Sequence, residues 1–360
     1  MSHDSIVCHA YQHASLQLGS CGISMVLPVR IRLFNDQDYP GMVAVTNAIF
    51  PDDPRNVDDV RRRDQLWDSE RYDLLRLVCE NAFGQIVAWG QLNHLPHQFH
   101  PRKFRIGIYI EPESQSRGVG SMMHDRLTNE LRARRATAVS SRARGDMSAS
   151  IRFLETRGFA PVEETWESRL VVATFDPGRS IDAVALLASQ CITITTLASE
   201  RARNPDVHKD VHALYLACIR DIPTAEAITD IPFRQFVARE LESPNVLPEA
   251  YFLAVADGRY VALCAFVRHP GMPDVISGRL TGCLPSLRGR GIVSGLKLCL
   301  AAYAYDHGFR EIWTWNSAQN ASMVRINDAM GFVRTASWIT LHRDEHAVAA
   351  VNAGELLGTL

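Results

Sequence analysis

The chain has 360 residues, more than one hydrophobic core usually serves, so two domains are expected. Its 46% hydrophobic and 22% charged residues are those of a globular protein and exclude the fibrous and disordered classes. A formal net charge of −2 excludes a dedicated nucleic-acid binder, whose domain would be strongly basic.

Residues 1–27 are polar and without periodicity, so they read as a flexible extension, with Met25 a candidate second start. The N-terminus lacks the charged and apolar regions of a signal peptide, and no apolar run reaches the roughly 18 residues of a membrane span. The eight cysteines include no CxxC pair, and several sit in apolar runs such as "VALCAFV". These features predict a cytoplasmic protein with free thiols and no membrane segment.

From residue 28 the pattern predicts an opening strand "PVRIRLF", an amphipathic helix "YPGMVAVTNAIF" and a short helix near 57–67. Strands "LLRLVCE", "IVAWGQLN" and "KFRIGIYI" follow, the first two joined through "NAFGQ". A glycine loop, "QSRGVG", leads into a helix over about 120–135, then a strand "ATAVSSRA", a helix over about 147–157 and a closing pair of strands. "FDPGRS" opens a linker over 176–189. The second set repeats the order: "CITITTLA", "DVHALYLACI", a helical stretch near 232–242, then "YFLAVAD", "YVALCAFVRH" and "VISGRLTGCL". After these come the loop "RGRGIV", a helix over 293–307, the strand "REIWTWNS" and a helix over 320–330. Each half is therefore expected to be β-α-α-β-β-β-α-β-α-β around a mixed sheet, an α/β (α+β) fold. The predicted units are 28–175 and 190–345, with a tail over 346–360.

The two halves are in register at one offset. Adding 173 carries Pro112 onto Pro285, Arg117 onto Arg290, Gly118 onto Gly291, Ser121 onto Ser294 and Leu127 onto Leu300. The same offset carries Gly158-Phe159 onto Gly331-Phe332, so each loop glycine precedes a Gly-Phe pair by 40 residues. A register held that long implies an internal duplication.

A strand that ends in a glycine loop and enters a helix leaves backbone N–H groups converging on one spot, with the positive end of the helix dipole behind them. That is an anion site, and arginine adds charge-assisted contacts. Neither loop is GxGxxG and no GK[ST] follows, which excludes the dinucleotide and nucleoside-triphosphate loops.

The Q/RxxGxG/A loop after a fourth strand, followed by helix, strand, helix and Gly-Phe, resembles the GNAT superfamily of acyl-CoA N-acyltransferases. In the second half "TWNSAQNASMVRINDAMGF" is similar to a TxN...NxxMxxxNxxLGF stretch of many bacterial members. Two such units resemble the tandem GNAT proteins, a group that includes mycothiol synthase. The resemblance covers 28–175 and 190–343. It implies acetyl-CoA as cofactor, its pyrophosphate on Gln115, Ser116, Arg117, Gly118, Val119, Gly120 and Ser121, or on Arg288, Gly289, Arg290, Gly291, Ile292, Val293 and Ser294. It also implies that the pantetheine arm pairs with the fourth strand, at Ile108–Ile110 or at Thr281–Cys283 and Leu284, with Asn316 and Asn320 close by.

Acyl transfer to an amine needs a deprotonated amine, a polarised carbonyl and a proton for the departing thiolate. The tyrosine that commonly supplies this proton in the family corresponds to Leu154 and Asn327. Leucine has no proton to give, while asparagine can donate only a hydrogen bond. No base is evident on either fourth strand, which leaves Glu111 at the end of the first and Cys283 in the second as candidates. The first loop closes on Gly120, the second on the branched Val293. Because Asn316, Asn320 and Asn327 place polar groups together, the second half is expected to be the active one.

Four further signals stand out. His94, His97 and His100 lack an acidic or cysteine partner and predict no metal site, and "HRDEH" at 342–346 reads as a solvated terminus. Trp313 and Trp315 alternate on one strand, as core or as a substrate wall, and "VRRRDQLW" suggests an acidic acceptor. The expected function is acyl-CoA-dependent N-acetyltransferase activity on a small-molecule or peptide amine, without nucleic acid and compatible with a homodimer. The alternative is a non-catalytic acyl-CoA-binding or regulatory protein.

Overall fold

Hydrophobic alternation and helix caps set the local elements in a computed structural model that describes residues 29–345 except 223 and 225. The expectations for the N-terminal extension, Met25, Cys8, Cys21, His346 and the 346–360 tail lie outside the described residues.

The first half runs β1 (Arg30–Leu33), α1 (Tyr39–Ile49), α2 (Val57–Gln65), β2 (Leu74–Glu80), β3 (Ile86–Asn93), β4 (Lys103–Ile110), α3 (Val119–Ala133), β5 (Ala138–Arg144), α4 (Ser148–Glu155) and β6 (Ala160–Val171). Helix α2 shows why such a polar stretch is helical. The Asn56 side chain accepts from the N–H groups of Asp58 and Asp59, acidic residues fill the first turn, and Arg62 and Arg63 fill the last.

The linker is not loop throughout: it folds as α5 (Gly178–Ala188). The second half follows as β7 (Ile192–Thr196), α6 (Leu197–Arg201), α7 (Val207–Ile219), α8 (Phe233–Phe236) running into a π-helical turn over Val237–Leu241, then β8 (Phe252–Ala256), β9 (Arg259–His269) and β10 (Met272–Cys283). It closes with α9 (Ile292–Asp306), β11 (Glu311–Ser317), α10 (Ala321–Met330) and β12 (Val333–Asp344). The expected closing pair of strands is one twelve-residue strand in each half. The Gly-Phe pairs work alike in both halves. Gly158 (φ +81°) and Gly331 (φ +92°) take the left-handed conformation that ends a helix, and Phe159 and Phe332 then enter the core.

The twelve strands of the described residues form one sheet, in the order β1-β2-β3-β4-β5-β12-β6-β11-β10-β9-β8-β7. Only β4–β5 and β10–β11 are parallel. The last strands are exchanged. β12 inserts between β5 and β6, while β6 pairs with β11 of the other half. The exchange is packed as well as hydrogen-bonded: Leu341 of β12 is fully buried in the first half's core against Leu127 and Phe159, and Leu170 of β6 is buried in the second half's core. A leucine so buried contributes roughly 1.5–3 kcal/mol.

In the first half, α3 and α4 cover one sheet face and α1 the other, where Tyr39, Met42 and Val43 pack on Val78 and Trp89. The second half repeats this with α9 on one face and α7 on the other. On the α1 face the halves also touch through polar contacts. His269 Nε2 lies 2.9 Å from Asp53 Oδ1, Asn245 donates to Asp59 (2.8 Å), and Lys103 pairs with Glu226 (2.7 Å).

Candidate functional site

β4 and β5 pair at only three positions, Lys103–Ala138, Phe104–Val139 and Arg105–Ser140, and then part. β10 and β11 do the same after Val275–Glu311, Ile276–Ile312 and Ser277–Trp313. Each half therefore has a wedge-shaped gap beside its fourth strand. The amide of Glu111 donates to Val87 of β3 (3.0 Å), so by strand alternation Ile106, Ile108 and Ile110 turn their backbone polar groups to the gap. Ile106 O accepts from Ser141 Oγ (3.1 Å) and Ile110 O from Gln115 Nε2 (3.0 Å), with Ile108 between them. In the second half Leu284 N donates to Val261 O (2.9 Å), which turns Thr281 and Cys283 to the gap. β10 also carries a bulge between Gly278 and Leu280, where β4 is regular. An open strand edge of this kind accepts an extended chain as an added strand.

The glycine loops close the wide end. Gly118 (φ +85°) and Gly291 (φ +78°) are the N-caps of α3 and α9, neither with a side-chain cap, so first-turn N–H groups remain for an incoming anion. Around the loops the halves differ. Gly120 packs so closely on Ile110 and Phe153 that an added Cβ would lie 3.1 and 3.3 Å from them, whereas Val293 packs against the second core with Ile326. Arg117 is exposed, while Arg290 is held by the side chain and carbonyl of Gln190 (both 3.1 Å) and Arg288 pairs with Asp221 (2.7 Å). Ser121 Oγ accepts from Arg157 (2.8 Å) and Ser294 is half-buried. Val119 and Ile292 are core residues. Ser116 adopts φ +59°, where the second loop has Gly289 at +77°.

The candidate catalytic groups are not brought together. Leu154 is in the core. Asn327 is buried with both polar ends in use: its Nδ2 donates to Asn316 (2.6 Å) and its Oδ1 accepts from Lys297 Nζ (2.6 Å). Burial lowers the Lys297 ammonium to about 8. Asn320 caps α10 through Met323 N (3.2 Å). The Cys283 thiol is buried, pushed up by that burial, and points to the carbonyl of Leu284 (3.5 Å). Leu284 packs between the two cores of the second half. Glu111 accepts from Ser114 (2.7 Å) and lines a cleft with Arg32, Asp38 and Gly41, away from the gap.

Trp313 is fully buried under the Arg169 guanidinium (3.7 Å), and Trp315 stands half-buried at its edge. The three histidines have separate neighbours, and no three possible metal ligands cluster among the described residues. Arg61, Arg62 and Arg63 are matched by Asp58 and Asp59 on their own helix.

What the sequence reading missed is Tyr109. Its ring stacks on Trp89 (4.1 Å, 13°) and folds back along β4, so that a Cβ on Gly107 would meet its hydroxyl at 3.2 Å. The hydroxyl thus stands over the start of the gap on the α1 face. Burial raises its pKa, while Arg105, Arg55, Arg142 and Arg76 hold it down. The signal in "KFRIGIYI" is a glycine two residues before an aromatic on one strand face, with room left for the ring.

Residues 42–159 match the profile of the Acetyltransferase (GNAT) family. The chain is 25% identical over 233 residues to a mycothiol acetyltransferase of Pseudarthrobacter chlorophenolicus, covering 63% of this chain and 66% of the relative, just under two thirds of its length. Among solved structures, a tandem GNAT protein from the clavulanic acid biosynthesis pathway superposes with TM-score 0.67 at 15% identity, over 88% of this chain and 98% of that one. A GCN5-related N-acetyltransferase from Sphaerobacter thermophilus gives 0.64 at 16% identity, over 89% and 97%. At those identities the likeness shows the fold.

Proposed function

We propose that this chain, a tandem GNAT protein by its fold and by the family match of its first half, moves an acetyl group from acetyl-CoA to an amine by direct attack in a ternary complex, and that the first half performs the chemistry. The observation that carries the reading is the unpaired edge of β4 beside an open glycine loop at the N-terminus of α3. The loop amides take the pyrophosphate, the pantetheine arm lies along Ile108–Ile110, and the Ile108 N–H polarises the thioester carbonyl. The amine nitrogen attacks the carbonyl carbon and the C–S bond breaks. The phenol of Tyr109 gives its proton to the departing sulfur and regains one from solvent, while the ammonium proton leaves to water. The name of the mycothiol acetyltransferase relative supports acetyl as the group moved.

By residue type alone, Asn316, Asn320 and Asn327 point to the second half. Two features support the first half instead: Asn327 is saturated by Lys297 and Asn316, and Arg290 is committed to Gln190 while Arg117 is exposed. No helix among the described residues is long and apolar enough to cross a membrane, and a cytoplasmic site, where acyl-CoA thioesters are made, goes with this reading. The test is mass spectrometry of an amine panel incubated with acetyl-CoA. Acetylated product is expected from the wild type and from Gly291→Glu, and to fall about 100-fold or more in Gly118→Glu, the equivalent position in the first loop, where an added side chain meets open space and its carboxylate opposes the pyrophosphate. Loss only in Gly291→Glu would move the chemistry to the second half. Acetyl-CoA binding without product from any amine would favour the binding-protein alternative.

A further inference from the structure

Most inward-facing arginines of the first half have carboxylate partners: Arg32 with Asp38, Arg76 with Asp64, Arg144 with Asp52 and Asp146, Arg169 with Glu167. Two do not. Arg105 of β4 and Arg142 of β5 lie on the α1 face of the sheet, where β4 and β5 part. Arg105 pairs in register with Ser140, and Arg142 is the next residue on that face of β5. Among the described residues no carboxylate hydrogen-bonds either one, and the Nε of Arg105 is buried with no partner at all. The Arg142 guanidinium stands 5.0 Å over the ring of Trp338 from the exchanged strand. Arg142 as a residue is exposed, while its guanidinium is partly desolvated by the side chains around it. Burial holds both guanidinium pKa values down, Arg142 to about 10 with repulsion from Arg105 adding to the effect.

Two carboxylates act on this space, and one of them, Glu167, is already held by Arg169. Glu163 of β6 faces Thr340, which faces Arg142, and its field reaches both arginines. Two guanidinium charges against the one uncommitted carboxylate leave a net positive cleft in which the buried Arg105 Nε lacks an acceptor, and leaving a buried donor unsatisfied is costly. An incoming anion supplies the acceptor, and the planar guanidinium fork suits carboxylate and phosphate equally.

We propose that the first half takes amine acceptors bearing an anionic group, a carboxylate or a phosphate, which Arg105 and Arg142 hold on the α1 face while the amine reaches the gap beside Ile108 and Tyr109. The identity of the acceptor class rests on the acetyl-transfer reading, whereas anion binding at the arginines does not. Arg105 is three residues from Ile108 along β4, roughly 10 Å between backbones, which the long arginine side chain and a small amino compound bridge together. The exchanged strand completes the site, since Trp338 and Thr340 of β12 separate Arg142 from Glu163.

The test uses the full chain and three amines of similar size: ethanolamine, O-phosphoethanolamine and β-alanine. Calorimetric titration into wild type, Arg142→Gln and Arg105→Gln/Arg142→Gln is run beside thiol release from acetyl-CoA. At least one anionic amine is expected to bind the wild type about tenfold or more tightly than ethanolamine, an advantage that Arg142→Gln removes while acetyl-CoA affinity and thermal midpoint hold. Whichever anionic amine binds identifies carboxylate or phosphate as the group. Equal binding of all three amines by the wild type overturns the proposal, as does an unchanged preference in the double variant. Arg142→Lys, which keeps the charge but not the fork, is expected to retain part of the preference and guards against a folding defect in the glutamine variants. Selective anion binding without thiol release would defeat the acetyl-transfer reading and leave the site standing. Thiol release favouring ethanolamine would do the reverse.

Discussion

In the acetyl-transfer reading proposed above, Tyr109 offsets a missing side chain. The family position four residues before Gly158 holds Leu154, which is core, yet a phenol reaches the same gap from β4 because Gly107 leaves room beneath it. Tyr109→Phe keeps the stacking on Trp89 and removes only the proton. Its kcat is expected to fall about 100-fold with acetyl-CoA affinity unchanged, measured by thiol release and by titration. A drop of less than threefold would remove Tyr109 from the chemistry. Ser116 is a second informative residue. Its φ of +59° is one that L side chains rarely adopt, and the second half has glycine there. Ser116→Gly relieves that strain against a greater loss of backbone entropy, so urea unfolding is expected to show a gain of about 0.5–1 kcal/mol.

At the scale of elements, the paired helices of each half do different work with the same geometry. In the first, α3 packs beside α4 with Gly120 against Phe153. In the second, α9 and α10 are tied by the buried Lys297–Asn327–Asn316 chain, while α5 lies against α9 with Leu187 so close that a Cβ on Gly295 would fall 2.6 Å from it. The ammonium of Lys297 has a folded pKa of about 8, below its ordinary 10.5. Between those values the unfolded chain holds the proton and the folded chain does not, so this group makes stability rise with pH. The effect is on the order of 3 kcal/mol across the window. Lys297→Met is expected to abolish that rise relative to the wild type when denaturant midpoints are compared near pH 7.5 and 10. Parallel pH profiles for the two proteins would show that Lys297 titrates normally.

At the scale of the whole molecule, the exchange of β6 and β12 makes the two halves one sheet. A first half expressed alone, residues 29–177, would expose the edge of β5 and lack Leu341 in its core. It is expected to aggregate or self-associate, and co-expression with residues 178–345 to restore a one-to-one complex by size exclusion with light scattering. A well-behaved monomer of 29–177 would contradict the packing described. The same exchange marks how far the amino-acid sequence could be read. The duplication, the element order, the glycine loops and the Gly-Phe pairs were all legible, because each is a local pattern of periodicity, capping and positive φ that neighbouring residues determine. The gap residues Ile108–Ile110 followed from their place before the loop. Asn327 and Cys283 looked chemically apt, but their residue types carried no sign of Lys297 beside one or of the core around the other. Nor could the pattern show which strand closes which half, since β6 and β12 are equal in length and alike in burial and either would fit. Strand pairing is a contest between distant segments, decided by the cores that Leu341 and Leu170 fill. The sequence by itself determined two copies of one local plan. Only the tertiary structure decided that β12 stands between Arg142 and Glu163, because that neighbourhood exists only once segments almost two hundred residues apart have paired.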